Sequence, residues 1–258
     1  MSKISILSKA EKLLLFASNP HNITCQVKYL FLLSHMRSRS SVLAHVLGSN
    51  PDICGYGELH LPYTSRKSLI NMRILLTRDL QVRLKDKYLL DKILHNYDFT
   101  SKIWKIAKPK AIFLLRKPES TLRSIINLGY ISKETAYRDP QVALDYYCSR
   151  LKNLEQYAQF VRGNYFFIES DDLVEDADRV LKNLSTWLDL DQPLNKNYSL
   201  FENTGTVGYG DPSLNIKSGI IKSTKSHLDI TINTKMLQIA EDAYQKSYST
   251  LSKYQVLS

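Results

Sequence analysis

Cysteine is scarce in this 258-residue chain: Cys25, Cys54 and Cys148 are odd in number and far apart. Neither a disulfide framework nor a zinc spacing can be drawn from them, and a reduced, intracellular setting is the simplest expectation. Long apolar runs are missing too. The N-terminal Leu13–Ala17 run follows Glu11 and Lys12 and is too short for a signal peptide or a membrane anchor, so the chain is expected to be soluble and cytoplasmic. Acidic residues are outnumbered 25 to 35 by Lys and Arg, a net charge of +10. That favours an anionic partner: a nucleotide, a sulfated or phosphorylated substrate, nucleic acid or an anionic membrane surface. The basic residues are spread along the chain rather than gathered in a tail, which argues against nucleic acid. Glycine is absent from the most polar turn, residues 34–41, and this excludes a Walker A loop, which needs Gly-x-x-x-x-Gly-Lys-Ser/Thr.

What is present is a strand–turn–helix unit over residues 28–49. Tyr29–Leu33 is a continuous apolar run, as in a parallel strand covered on both faces. The turn Ser34-His-Met-Arg-Ser-Arg-Ser-Ser41 places the hydroxyls of Ser38, Ser40 and Ser41 and two guanidinium groups where a helix begins. A helix start offers unpaired N–H groups and the positive end of the macrodipole, so phosphate or sulfate fits there. A serine-capped helix with solvated arginines is the plainer reading of the turn taken alone. Gly48, Asn50 and Pro51 stop the helix, and a loop leads to Gly57-Glu58-Leu59-His60.

Residues 1–26 read as an amphipathic or loosely ordered arm. Residues 64–90 read as a helix with a basic face, solvated or, less simply, a lid over an anion. Apolar runs at 88–97, 111–115 and 165–168 read as further strands. Helices are expected over 119–128, stopped by Gly129, then from Asp139-Pro140 to Gly163, and after Asp176. Strand and helix in alternation imply a parallel sheet with right-handed crossovers. Arg116 then falls at a strand's carboxyl end, on the same rim as the 34–41 turn, where open α/β sheets bind ligands. Residues 191–233 are poorly periodic, and a closing amphipathic helix starts at 234.

Three segments together resemble one family. Met36-Arg-Ser-Arg-Ser-Ser-Val-Leu43, followed by Asn50-Pro-Asp52 and Glu58, resembles the 5′-phosphosulfate loop of sulfotransferases that use 3′-phosphoadenosine-5′-phosphosulfate (PAPS). Leu114-Leu-Arg-Lys-Pro-Glu-Ser-Thr-Leu-Arg-Ser124 resembles their 3′-phosphate motif, and Phe167-Ile-Glu-Ser-Asp-Asp-Leu-Val-Glu-Asp176, with the helix to Leu190, their Tyr-Glu-Asp-Leu segment and its following helix. The likeness covers about residues 28–190. Arg39 stands where the family usually has Gly, and Ser170 where many members have Tyr.

The resemblance implies one P-loop-like, three-layer α/β/α domain over 1–258: arm 1–26, core 28–190, loop region 191–233 and helix 234–258. It implies sulfuryl transfer from PAPS, leaving PAP, to a hydroxyl or amine of an acceptor, expected to be a small molecule as in natural-product tailoring, without metal, nucleic acid or membrane. Arg37, Ser38, Ser40 and Ser41 would hold the 5′-phosphosulfate, with Arg39 adding a contact. Arg116 and Ser124 would hold the 3′-phosphate, with Lys217 or Lys222 closing over it. Lys92, in an Asp-Lys-x-x-His stretch, would stabilise the leaving oxygen. The general base is Glu58 by preference, then His95, which is one position off the family's Lys-x-His form, then His60. Two other classes compete: a P-loop-type kinase, and a basic nucleic-acid-binding protein suggested by charge alone.

Overall fold

The computed structural model describes residues 8–97, 99–161, 163–206, 211, 214–222 and 230–253. In chain order the elements are α1 (Lys9–Ser18), α2 (Pro20–Thr24), β1 (Lys28–Ser34), α3 (Ser40–Gly48), β2 (Ile53–Cys54), α4 (Arg66–Leu80), β3 (Tyr88–Ile93), α5 (Ser101–Ala107), β4 (Lys110–Leu115) and α6 (Pro118–Ile131). A 3-10 turn (Thr135–Arg138) leads to α7 (Pro140–Phe160), β5 (Tyr165–Glu169), α8 (Asp172–Glu175) and α9 (Ala177–Leu188). A second 3-10 turn (Leu214–Ser218) precedes α10 (Thr234–Lys253).

The strands form one parallel sheet in the order β2-β3-β1-β4-β5. Alternation along β1 explains its unbroken apolar sequence. Tyr29, Phe31 and Leu33 enter one core with residues of α4, α6, α7 and α10. Leu30 and Leu32 enter the other with residues of α3 and α9. A strand with both faces covered has no polar side to display. The result is three layers, α/β/α, as the resemblance implied.

Several expectations need correction. The arm forms two helices, α1 behind a Ser8–Glu11 capping box and α2 with Pro20 in its first turn. The loop after α3 contains β2, and α5 and α8 fall in segments with no periodic signal. Gly129 does not stop α6: the helix runs on to Ile131. A Cβ at Gly129 would meet the backbone N of Arg138 at 2.6 Å, so this glycine lets the 135–138 turn close on the helix. Asp176 precedes α9 without a capping bond and pairs with Arg179 instead. Arg73, on the basic face of α4, is no lid: it donates to Tyr29 Oη and to the carbonyls of Ile23 and Cys25, tying α2 to the body.

All three cysteines are free. Among the described residues no helix is long and apolar enough to cross a membrane.

Candidate active site

The carboxyl tips of β3, β1 and β4 lie side by side, with β1 between strands that come from later in the chain on opposite sides. Ligands bind at such a place in open α/β sheets. The turn after β1 is bent by two non-glycine residues with positive φ, Arg37 at 61° and Arg39 at 69°. Each costs about 1 kcal/mol or more and persists only where its surroundings over-determine it. Ser38 and Ser34 form a buried hydroxyl pair 2.6 Å apart, and Ser34 donates on to Leu114 O of β4. Ser40 and Ser41 open α3 and are buried. The first N–H groups of α3 have no partner within the helix.

Three guanidinium groups meet here. Arg37 Nε donates to Ser124 Oγ of α6 (2.8 Å), and its Nη1 lies 3.0 Å from Asp211. Arg116 Nη1 donates to Arg37 O (2.9 Å). Arg39 turns to the tip of β5, where its Nη1 reaches Ser170 O and Oγ (both 2.9 Å) and Asp171 (2.7 Å). The position that departs from Tyr thus serves Arg39. The Arg116 pKa is drawn down to about 10, chiefly by burial, with the Arg39 and Arg37 charges acting in the same direction and Asp171 and Asp211 against it. Its Nε is buried and, among the described residues, has no hydrogen-bond partner. Buried donors are nearly always satisfied, so this Nε is able to take one further acceptor.

Lys92 on β3 is almost fully buried. Its Nζ donates to Ser41 Oγ (3.0 Å) and lies 3.3 Å from Glu58 Oε1. It therefore joins the start of α3 to the loop that carries the candidate base. The adjacent Asp91 points to the other face of β3 and accepts from Leu59 N–H and the Tyr63 hydroxyl, fixing the same loop from beneath. Burial pushes Asp91 up to about 7. His95 lies just beyond β3, partly exposed. Burial lowers its pKa, and the Glu58 charge opposes that. His60 Nδ1 and Tyr97 Oη are hydrogen-bonded at 2.8 Å. Lys217 is exposed on the second 3-10 turn, where its stem crosses Gly205 so closely that a Cβ there would be 2.5 Å from Cε. Lys222 is exposed as well. Among the described residues neither lysine forms a salt bridge or a hydrogen bond to Arg37, Arg116 or Ser124.

Helix α7 supplies residues that sequence reasoning passed over as structural. Arg150 is fully buried and donates to Ser34 O (2.8 Å), Ile93 O (2.6 Å) and His95 O (2.9 Å). Tyr146 Oη accepts from Met36 N–H and donates to Leu94 O, and Tyr147 Oη donates to Arg116 O, all at 2.8 Å. One helix thus holds the tips of β1, β3 and β4. A charged residue at core spacing in that helix was the available signal. His35 completes the rim. Its Nε2 accepts the Arg116 backbone N–H (3.0 Å), so Nδ1 bears the proton and donates to Met36 O. Burial holds its pKa down at about 3, and the Arg116 and Arg150 charges add to this.

No family model matches the chain, and no curated protein matches it in sequence. Solved structures do match. A sulfotransferase domain from the curacin biosynthetic pathway superposes with a TM-score of 0.59 over 86% of this chain and 99% of its own, at 18% identity. This is the sulfotransferase fold. A sulfotransferase domain of the Synechococcus PCC 7002 olefin synthase gives 0.56 at 20% identity, over 84% of this chain and 94% of that one. A mouse sulfotransferase in complex with PAP gives 0.55 at 13% identity, over 98% of both chains. At these identities the likeness is one of architecture. Within the sulfotransferase fold, the rim of the present chain carries the cation and hydroxyl set just described.

Proposed function

We propose that this protein is a PAPS-dependent sulfotransferase. The observation that carries the reading is the convergence of Arg37, Arg116 and Ser124 with Ser41 and Lys92 on one rim, with a buried Arg116 Nε that has no hydrogen-bond partner among the described residues. A PAP-bound protein of the same fold supports it. Arg116 and Ser124 hold the 3′-phosphate. Arg37, Ser38, Ser40, Ser41 and the start of α3 hold the 5′-phosphosulfate.

In the reaction an acceptor oxygen or nitrogen attacks sulfur, and the bond from sulfur to the bridging 5′-phosphate oxygen breaks. Glu58 takes the acceptor proton. Lys92 and the α3 N–H groups meet the charge that grows on the leaving oxygen. As in phosphoryl transfer, positioning and fixed electrostatics supply most of the rate.

The test compares PAP with ATP plus magnesium by thermal shift. A ligand at 100 times its dissociation constant adds about 2.7 kcal/mol of apparent stability. PAP is expected to stabilise the protein, and labelled sulfate is expected to move from PAPS to an acceptor. Stabilisation by ATP with magnesium and none by PAP would move the protein to the kinases.

A further inference from the structure

The two residues of positive φ in the 34–41 turn are both arginines, and each is tied to a different strand tip. Arg37 is tied on the β4 side: Arg116 donates to its carbonyl, and its own Nε donates to Ser124 of α6. Arg39 is tied on the β5 side. Its Nη1 reaches Ser170 O, Ser170 Oγ and Asp171 Oδ1 at 2.9, 2.9 and 2.7 Å. Ser170 is fully buried, and its N–H donates to Leu115 O at the end of β4, so the anchor is itself fixed. Asp171 also lies 3.7 Å from Lys117, which pairs with Glu169 at 3.4 Å.

Residue 39 stands immediately before α3, with φ 69° and ψ 16°. Its carbonyl accepts the Leu43 N–H at 3.2 Å, the first bond of the helix. The N–H groups of Ser40 and Ser41 follow at once and belong to those without a partner inside the helix. The dihedrals of residue 39 therefore aim them. Glycine adopts this conformation freely, whereas any side chain that begins with a Cβ resists it. Arginine has no local advantage over alanine here, and its side chain makes no capping bond. What sets it apart is the length to reach β5.

We infer that Arg39 is a positioning residue: its tether to Ser170 and Asp171 holds residue 39 in the left-handed conformation and so aims the start of α3 at the donor. The inference rests on the sulfotransferase reading and deepens it. It joins the two departures from the family pattern, Arg39 and Ser170, in one contact, and it gives the tip of β5 an indirect share in donor binding.

The experiment uses the full chain and measures PAP affinity by calorimetry in Arg39→Gly, Arg39→Ala, Asp171→Ala and the Arg39→Gly/Asp171→Ala double variant. The first two lose the same charge and the same tether but differ in their tolerance of positive φ. Arg39→Gly is expected to bind PAP about fivefold or more tighter than Arg39→Ala. Asp171→Ala is expected to cost about threefold or more extra affinity in the parent than in the Arg39→Gly background, a comparison that cancels any direct field of Asp171 on the nucleotide. Equal affinities of the Gly and Ala variants overturn the inference, because Arg39 then acts through its charge or not at all. An Asp171→Ala effect of one size in both backgrounds overturns it too. Urea unfolding without nucleotide is the companion measurement, and Arg39→Gly is expected to be more stable than Arg39→Ala. That order in a protein that binds no PAP keeps the tether and overturns the donor reading; the reverse order overturns the tether.

Discussion

Arg37 Nη1 lies 3.0 Å from the carboxylate of Asp211, and each side chain is about a fifth exposed, at 20% and 22%. The cradle thus holds a carboxylate of the chain itself. Asp211 also donates its backbone N–H to Ser41 Oγ (3.2 Å), so it sits on both the arginine and the serine proposed for the phosphosulfate. On the proposed reading, a donor seated on Arg37 would displace that carboxylate. A partly exposed pair is worth up to about 1 kcal/mol, or roughly fivefold. Asp211→Asn is therefore expected to tighten PAP binding by about that factor in calorimetry. A weaker affinity would show that Asp211 assists the donor.

Arg116→Ala should weaken PAP binding strongly. Hydrogen bonds to charged groups are worth about 1.5–3 kcal/mol, or roughly 10–150-fold. Circular dichroism checks that the variant is folded, because Arg116 also donates to Arg37 O. Retained PAP affinity in a folded variant would remove the 3′-phosphate assignment.

Glu58→Gln should lower turnover by about 10²–10⁴-fold, the usual weight of a general base, and leave PAP affinity nearly unchanged. His95→Ala is the companion measurement. Full turnover in the first and none in the second would make the imidazole the base.

His35 should make the fold sensitive to acid. Its native ring stays neutral down to about pH 3, whereas the unfolded ring takes a proton below about 6.5. Its contribution is complete above that pH and is lost as the pH falls through the window. The difference in unfolding free energy between the parent and His35→Asn should shrink by about 1.4 kcal/mol per pH unit between roughly pH 6 and 3. A difference that is flat with pH in urea titrations would exclude a buried neutral His35.

Arg150→Leu should cost about 3 kcal/mol or more, because it strips the partner from three buried or half-buried carbonyls at about 1–3 kcal/mol each. Urea unfolding reads this directly. A loss below about 1 kcal/mol would mean that water takes over those carbonyls.

The parts of the fold that showed in the sequence were those with a local signature. β1, β3, β4 and β5 are apolar runs because both faces are covered, and the Ser/Arg turn lies within eight consecutive residues. β2 is two residues long, too short to show a period. Gly129 resembled a helix stop because close approach and termination use the same residue type. Among the candidate residues, Arg37 could be picked out by type and place, and Lys92 and Glu58 through the family resemblance. Asp211 could not, since it reaches Arg37 from 174 residues away. Asp91 carried a faint signal as a second charge beside Lys92 within an apolar strand, and its partners Leu59 and Tyr63 lie about 30 residues upstream. Arg150 was hidden because charge in a long helix is ordinarily solvated.

The grip of α7 on three strand ends has a mechanical outcome. The turn after β1, the lysine strand and the Arg116 strand are all hung from one rod of 21 residues. A tilt of that rod would shift the three strand ends in concert. On the proposed reading, damage to a helix with no part in the chemistry would then register as simultaneous failure to seat the nucleotide and to align what attacks it.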